Sequence, residues 1–95
     1  MANRDKILDI SREYNIPLIE DCAHAHGMKW NDKGAGYLGD IGIFSFESSK
    51  VMTSGEGGII TTNNKKYYER IVAIKNLGNN SKGEKQDGII GWNFR

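Results

Sequence analysis

The chain has 95 residues, 38% hydrophobic and 26% charged, with a net charge of +1; that length bounds it to one small domain with a modest core, and the balance excludes a disordered chain. Charges of both signs are scattered without blocks, so neither nucleic acid nor a membrane surface has an electrostatic footprint to grip. No apolar h-region opens the chain, no apolar run approaches the roughly 20 residues of a membrane helix, and the single cysteine, Cys22, rules out an internal disulfide and points to a reduced cytoplasm.

In chain order, the first expected element is a helix over residues 3–14. Ile7, Ile10 and Tyr14 fall on one face at helical spacing, with Leu8 beside them. Asn15 is a natural stop and Pro17 forbids continuation. Pro17-Leu18-Ile19-Glu20 reads as a short buried strand that ends at Asp21. Asn31-Asp32-Lys33-Gly34 is a turn signal between short extended pieces. Residues 41–46, rich in branched and aromatic side chains, form the best strand in the chain. A polar loop over 47–57 follows, then a strand over 58–62. Asn63 or Asn64 caps a second helix over 64–77, whose apolar stripe is Tyr67, Ile71, Ile74 and Leu77, with Gly78 as its stop. Residues 79–90 read as an exposed loop.

Helices that alternate with short apolar strands define an α/β fold, a sheet with helices on its faces. Such sheets place their ligands at the carboxyl ends of strands. Asp21 and the loop 47–57 are therefore the positions where chemistry is expected. Twelve glycines against a single proline, concentrated at 27–58 and 78–91, indicate tight turns and close backbone approach. Asp21, Cys22, His24 and His26 imitate a metal cluster, but they lie too close in sequence to converge on one ion and no second pair completes a site; no metal is expected.

Three stretches carry a resemblance. They are Glu20-Asp21-Cys22-Ala23-His24-Ala25-His26-Gly27, Phe44-Ser45-Phe46-Glu47-Ser48-Ser49-Lys50, and Gly55-Glu56-Gly57-Gly58. In order and spacing they resemble the E-D-x-A-[HQ]-x-x-G, F-S-F-x-x-x-K and G-E-G-G motifs of the DegT/DnrJ/StrS sugar aminotransferases. Gly91-Trp92-Asn93-Phe94-Arg95 is similar to that family's G-[YW]-N-[YF]-R segment. The resemblance implies the fold type I transferase architecture: a partial three-layer α/β/α sandwich with a mixed sheet, here as part of the PLP-binding large domain.

It also implies a cofactor, pyridoxal 5'-phosphate (PLP), and a role for each matching residue. Lys50 would bond covalently to the cofactor and then carry a proton between substrate and cofactor carbons; an amine attacks only when neutral, so the site must favour that form. Asp21 would face the pyridine nitrogen and keep it protonated; read without the family, it is a turn residue after a strand. His24 either hydrogen-bonds or stacks near the cofactor ring, or is a satisfied core histidine. Ser45, sent by strand alternation to the face opposite Phe44 and Phe46, would hydrogen-bond the phosphate. Asn93 would reach the phosphate of the neighbouring subunit, which makes a homodimer with shared active sites. His26 would support the turn at Gly27, and Gly55, Gly57 and Gly58 would shape a turn under the cofactor. Trp30, Trp92 and Tyr37 are expected in a core or an interface.

The reaction implied is transfer of an amino group from glutamate or glutamine to a keto-sugar, nucleotide-linked, or to a keto-cyclitol. Sugar dehydratases of the same family usually carry histidine where this chain has Lys50. The wording around Asp21 and Lys50 resembles members that act on scyllo-inosose-type cyclitols or make aminohydroxybenzoate. Family chains are several times longer: a phosphate-cradling loop and a ring-stacking aromatic lie upstream, and a small C-terminal domain lies downstream. Residues 1–95 thus read as a large domain truncated at both ends, expected to be inactive alone; an inactive remnant and a free-standing small binding domain are the other readings.

Overall fold

The computed structural model describes residues 3–94. The chain divides into two compact units, Met1–Thr62 and Asn63–Arg95. The first holds helix α1 (Arg4–Glu13) and five strands: β1 (Ile19–Asp21), β2 (Lys29–Trp30), β3 (Lys33–Gly34), β4 (Ile41–Ser45) and β5 (Gly58–Thr61). The second holds helix α2 (Lys65–Lys75) and the segment that follows it.

α1 starts where Asn3 accepts a hydrogen bond on its side chain from the Lys6 amide at 3.2 Å, which satisfies one otherwise orphaned helical N–H. It ends one turn before Pro17; Asn15 takes a left-handed conformation with φ 51°, and the Ser11 hydroxyl donates to the Ile16 carbonyl at 2.7 Å. The helix turns its Arg4, Leu8 and Ser11 side inward. Ile7, Ile10 and Tyr14, the expected packing stripe, are instead exposed at 38%, 54% and 64%. No described element covers them.

The sheet has the order β1-β4-β5, with β1 parallel to β4 and β5 antiparallel to it. It is a mixed sheet, and β4 is its middle strand. The expected buried strand at 17–20 is a correction: strand pairing runs over Ile19–Asp21, and Ile19 is 59% exposed because β1 is an edge strand here. Register pairs Ile19 with Ile41 and Asp21 with Ile43, and Ile43 with Ile60. Side chains on directly paired residues share a face. Asp21, Ile43 and Ser45 therefore lie on one face, and Glu20, Gly42 and Phe44 on the other. The hairpin β2–β3 turns through Asn31 and Asp32, both at positive φ (47° and 60°), the backbone signs of a type I′ turn.

α2 is capped by Asn64, whose side chain accepts from the Lys66 and Tyr67 amides at 2.9 and 3.4 Å. It stops at Lys75, short of the expected 77. Leu77 and Gly78 follow at φ 57° and 82°, and the Gly78 amide returns to the Ala73 carbonyl at 2.8 Å. That is an αL helix end. Among the described residues the fully buried apolar side chains are Cys22 in the first unit and Ala73 in the second, each 1% exposed. Tyr37 and Trp92, expected in a core or interface, are 58% and 70% exposed; Trp30 is half-buried. No described helix is long and apolar enough to cross a membrane.

Candidate active site

Parallel pairing puts the carboxyl ends of β1 and β4 on the same edge of the sheet, and the sequence spends its polar residues there. After β1 the chain makes a tight turn. The Asp21 carboxylate accepts from the Ala23 amide at 3.0 Å through Oδ1, and the Ala25 amide donates to the Cys22 carbonyl at 3.0 Å. This turn pushes His24 outward. After β4 comes a second turn, closed by the Lys50 amide donating to the Glu47 carbonyl at 3.0 Å. Its neck is pinned on Phe46, whose amide donates to Gly57 O at 2.8 Å and whose carbonyl accepts from the Ser54 amide and the Thr53 hydroxyl at 2.9 and 3.0 Å.

The two turns meet through one contact: Lys50 Nζ lies 3.1 Å from His24 Nε2. Lys50 is half-buried and His24 exposed. Glu47, at the start of the Lys50 turn, accepts from the hydroxyls of Ser48 and Ser49. Those two bonds, with lesser help from the Ser49 backbone and the Lys50 charge, lower its pKa to about 2. Ser45 Oγ accepts from the Glu47 amide at 3.4 Å. The structure thus joins Lys50 to His24 and sets Asp21 and Ser45 on one sheet face. Asn93 belongs to the second unit, where it bridges to Asn76; Arg95, the last residue of its motif, lies outside the described residues.

This donor set suits PLP. An amine for an aldehyde, an imidazole beside that amine, a carboxylate at the neighbouring strand end and a strand hydroxyl on the same face match the cofactor's reactive groups. A cavity of about 560 Å³ lies in the second unit, lined among others by Lys66, Arg70 and Lys82, and holds none of these residues. No group of three metal-ligating side chains forms among the described residues.

The sequence reading missed Glu20 and Asp40. Glu20 Oε1 accepts from the amides of Leu38 and Gly39, both at 2.7 Å, and Oε2 accepts from Gly36 N at 3.3 Å and lies 3.6 Å from the Arg4 guanidinium. Asp40 Oδ2 accepts from Leu18 N at 2.8 Å. The signal was present: an acid in a strand, and a glycine-rich stretch whose amides lack strand partners. His26 was expected to support the turn at Gly27. It packs against Phe44 and Phe46, with ring centroids 5.8 and 5.2 Å away.

Comparison with known proteins gives the family and the fold. The model of the DegT/DnrJ/EryC1/StrS aminotransferase family matches residues 1–95. A putative L-glutamine:3-amino-2,3-dideoxy-scyllo-inosose aminotransferase of Micromonospora echinospora is 42% identical over 97 residues, covering 100% of this chain and 23% of that protein. GDP-perosamine synthase of Escherichia coli O157:H7 is 38% identical over 94 residues, covering 99% and 26%. The solved E. coli GDP-4-keto-6-deoxy-D-mannose-3-dehydratase, with bound hydrated PLP, superposes with a TM-score of 0.81 at 30% identity, covering 98% of this chain and 28% of that one. The chain spans about a quarter of the length of the curated relatives it matches. It belongs to the DegT/DnrJ/EryC1/StrS aminotransferase family, whose members use PLP, and it carries their mixed sheet with helices.

Proposed function

We propose that this chain carries the lysine-bearing part of a PLP enzyme that moves an amino group from glutamine or glutamate to a ketone of a nucleotide-linked sugar or a cyclitol. The observation that supports it most is the Lys50 amine 3.1 Å from His24, at the shared carboxyl edge of two parallel strands. Bound there, PLP supplies an aldehyde for an amine and a ring that withdraws electrons from the substrate carbon. Lys50 Nζ holds the cofactor and is the base that takes and returns the proton at the substrate carbon. Asp21 faces the ring nitrogen. His24 orients the amine of Lys50 and reaches the ring's oxygen. Ser45 binds the phosphate, and Asn93 reaches the phosphate of a second subunit in a homodimer.

The identities of 42% and 38% to a cyclitol aminotransferase and a perosamine synthase favour aminated cyclitols and nucleotide sugars as products, and the wording around Asp21 and Lys50 favours the cyclitol branch. The sheet is read as part of a three-layer sandwich in a larger PLP domain, in a cytoplasmic setting that suits a free thiol at Cys22. A dehydratase relative is also close in fold, and a lysine at position 50 favours transamination over it.

The test is trapping. The chain is incubated with PLP, reduced with borohydride and digested. Mass spectrometry is expected to place the pyridoxyl group on Lys50, with loss of the label in Lys50→Ala and no amine turnover by the 95-residue chain. A label spread equally over Lys65, Lys66 and Lys82 overturns the assignment.

A further inference from the structure

We propose that Glu20 is a positioning residue for Asp21: by gripping the loop 36–39 on one face of β1, it fixes the direction in which the next residue presents its carboxylate on the other. The inference rests on the reading of Asp21 as the ligand of the cofactor's ring nitrogen.

Glu20 and Asp21 are consecutive in an extended strand, so their side chains leave opposite faces. β1 is three residues long and paired on one side only. A strand that short has little to resist rotation about its own axis, and any rotation swings Asp21. Glu20 supplies the resistance. Its side chain is 11% exposed, and its carboxylate accepts three backbone N–H groups, from Gly36, Leu38 and Gly39, with the Arg4 guanidinium of α1 closing the remaining side. Charge-assisted bonds of this kind are the strong ones.

The gripped loop is itself immobilised on the sheet. A Cβ on Gly39 would lie 2.7 Å from Leu18 O and 3.2 Å from Glu20 Cγ. A Cβ on Gly42 would lie 2.6 Å from Gly36 Cα, and the Thr61 hydroxyl donates to Gly36 O at 3.2 Å. The loop therefore lies flush on the face that Glu20 shares with Gly42 and Phe44, and behaves as a fixed wall. Asp21, held on the other face, keeps its bond to the Ala23 amide.

The experiment compares Glu20→Gln, Asp21→Asn and Thr61→Ala in the full 95-residue chain, by amide hydrogen exchange and by PLP binding followed by absorbance. Glutamine keeps the size of glutamate but loses one acceptor oxygen. Glu20→Gln is expected to lower protection at Gly36, Leu38 and Gly39, and also at Ala23, whose amide donates to Asp21 and not to Glu20. It is expected to weaken PLP binding about tenfold, as Asp21→Asn does. Thr61→Ala removes one anchor of the wall while Leu38 and Gly39 stay gripped by Glu20; it is expected to lower protection at Gly36 and to shift Ala23 protection and PLP binding less than Glu20→Gln does. If Glu20→Gln frees the loop amides while Ala23 protection and PLP binding hold, the positioning role is overturned and the reading of Asp21 survives. If Asp21→Asn binds PLP as the unaltered chain does, or no chain binds it, the reading of Asp21 fails; Ala23 protection in Glu20→Gln then decides the positioning role alone.

Discussion

Two side chains, one just past β4 and one just past β1, have environments that set measurable titrations. Glu47 is held at about 2 by the hydroxyls of Ser48 and Ser49, against an ordinary value of 4.5. A depressed carboxylate contributes stability above its unfolded value and loses that contribution as pH falls through its folded one. The Lys50 turn is therefore expected to keep its Glu47 bonds down to the pH 2 region. A carboxyl-carbon NMR titration checks this, and Ser48→Ala should move the midpoint back toward 4.5; an unmoved midpoint removes the hydroxyl as its cause. Cys22 is shifted the other way. Burial pushes its thiol above 9.0, with the Glu20 carboxylate adding to it. A group kept protonated by the fold costs stability once pH exceeds its unfolded value, because the unfolded chain then releases a proton that the folded chain retains. Cys22 is expected to resist an aromatic disulfide reagent at pH 8 in native buffer and to react at once in denaturant. Fast reaction in native buffer would mean the turn after β1 is open. Of the residue-scale chemistry, the sequence marked Asp21 and the loop 47–57 by their place after apolar strands, and it singled out Lys50, His24 and Ser45 within and beside them only through the family resemblance. Glu20 was not legible, because its partners are backbone amides, which a sequence does not display.

Local signals predicted the elements where the side chain and the backbone it serves are neighbours. Asn64, one of the two expected caps, opens α2, Asn31-Asp32 makes the hairpin turn, and the branched run 41–46 makes the middle strand. Asn64→Ala is expected to cost α2 about 0.5–2 kcal/mol, read as lost helical ellipticity and earlier exchange of the Lys66 and Tyr67 amides. A variant with unchanged ellipticity and exchange would show that packing alone holds the helix. Signals failed where burial depends on what lies across space. The Ile7, Ile10, Tyr14 stripe has the right period, yet periodicity says only that a face is apolar. It does not say which described element meets it, and in this chain none does. Ile19 misled for the same reason, since an apolar strand reads alike in the middle of a sheet and at its edge.

As a whole, the molecule leaves large apolar side chains in water. Ile10, Tyr14, Ile16 and Ile19 in the first unit, and Ile90, Trp92 and Phe94 in the second, are each more than half exposed. Exposed apolar surface in this amount favours association. Sedimentation at rising concentration is expected to show self-association of the 95-residue chain, suppressed by Ile10→Lys; a monomer throughout would show the surface to be too dispersed to act as a patch. The loop that carries Lys50 departs from β4 and returns as β5, and its neck is closed on Phe46 by Gly57, Ser54 and Thr53. A neck closed by these bonds ties the start of the amine's arm to the adjoining ends of β4 and β5, so a shift of either strand end would carry Lys50 with it.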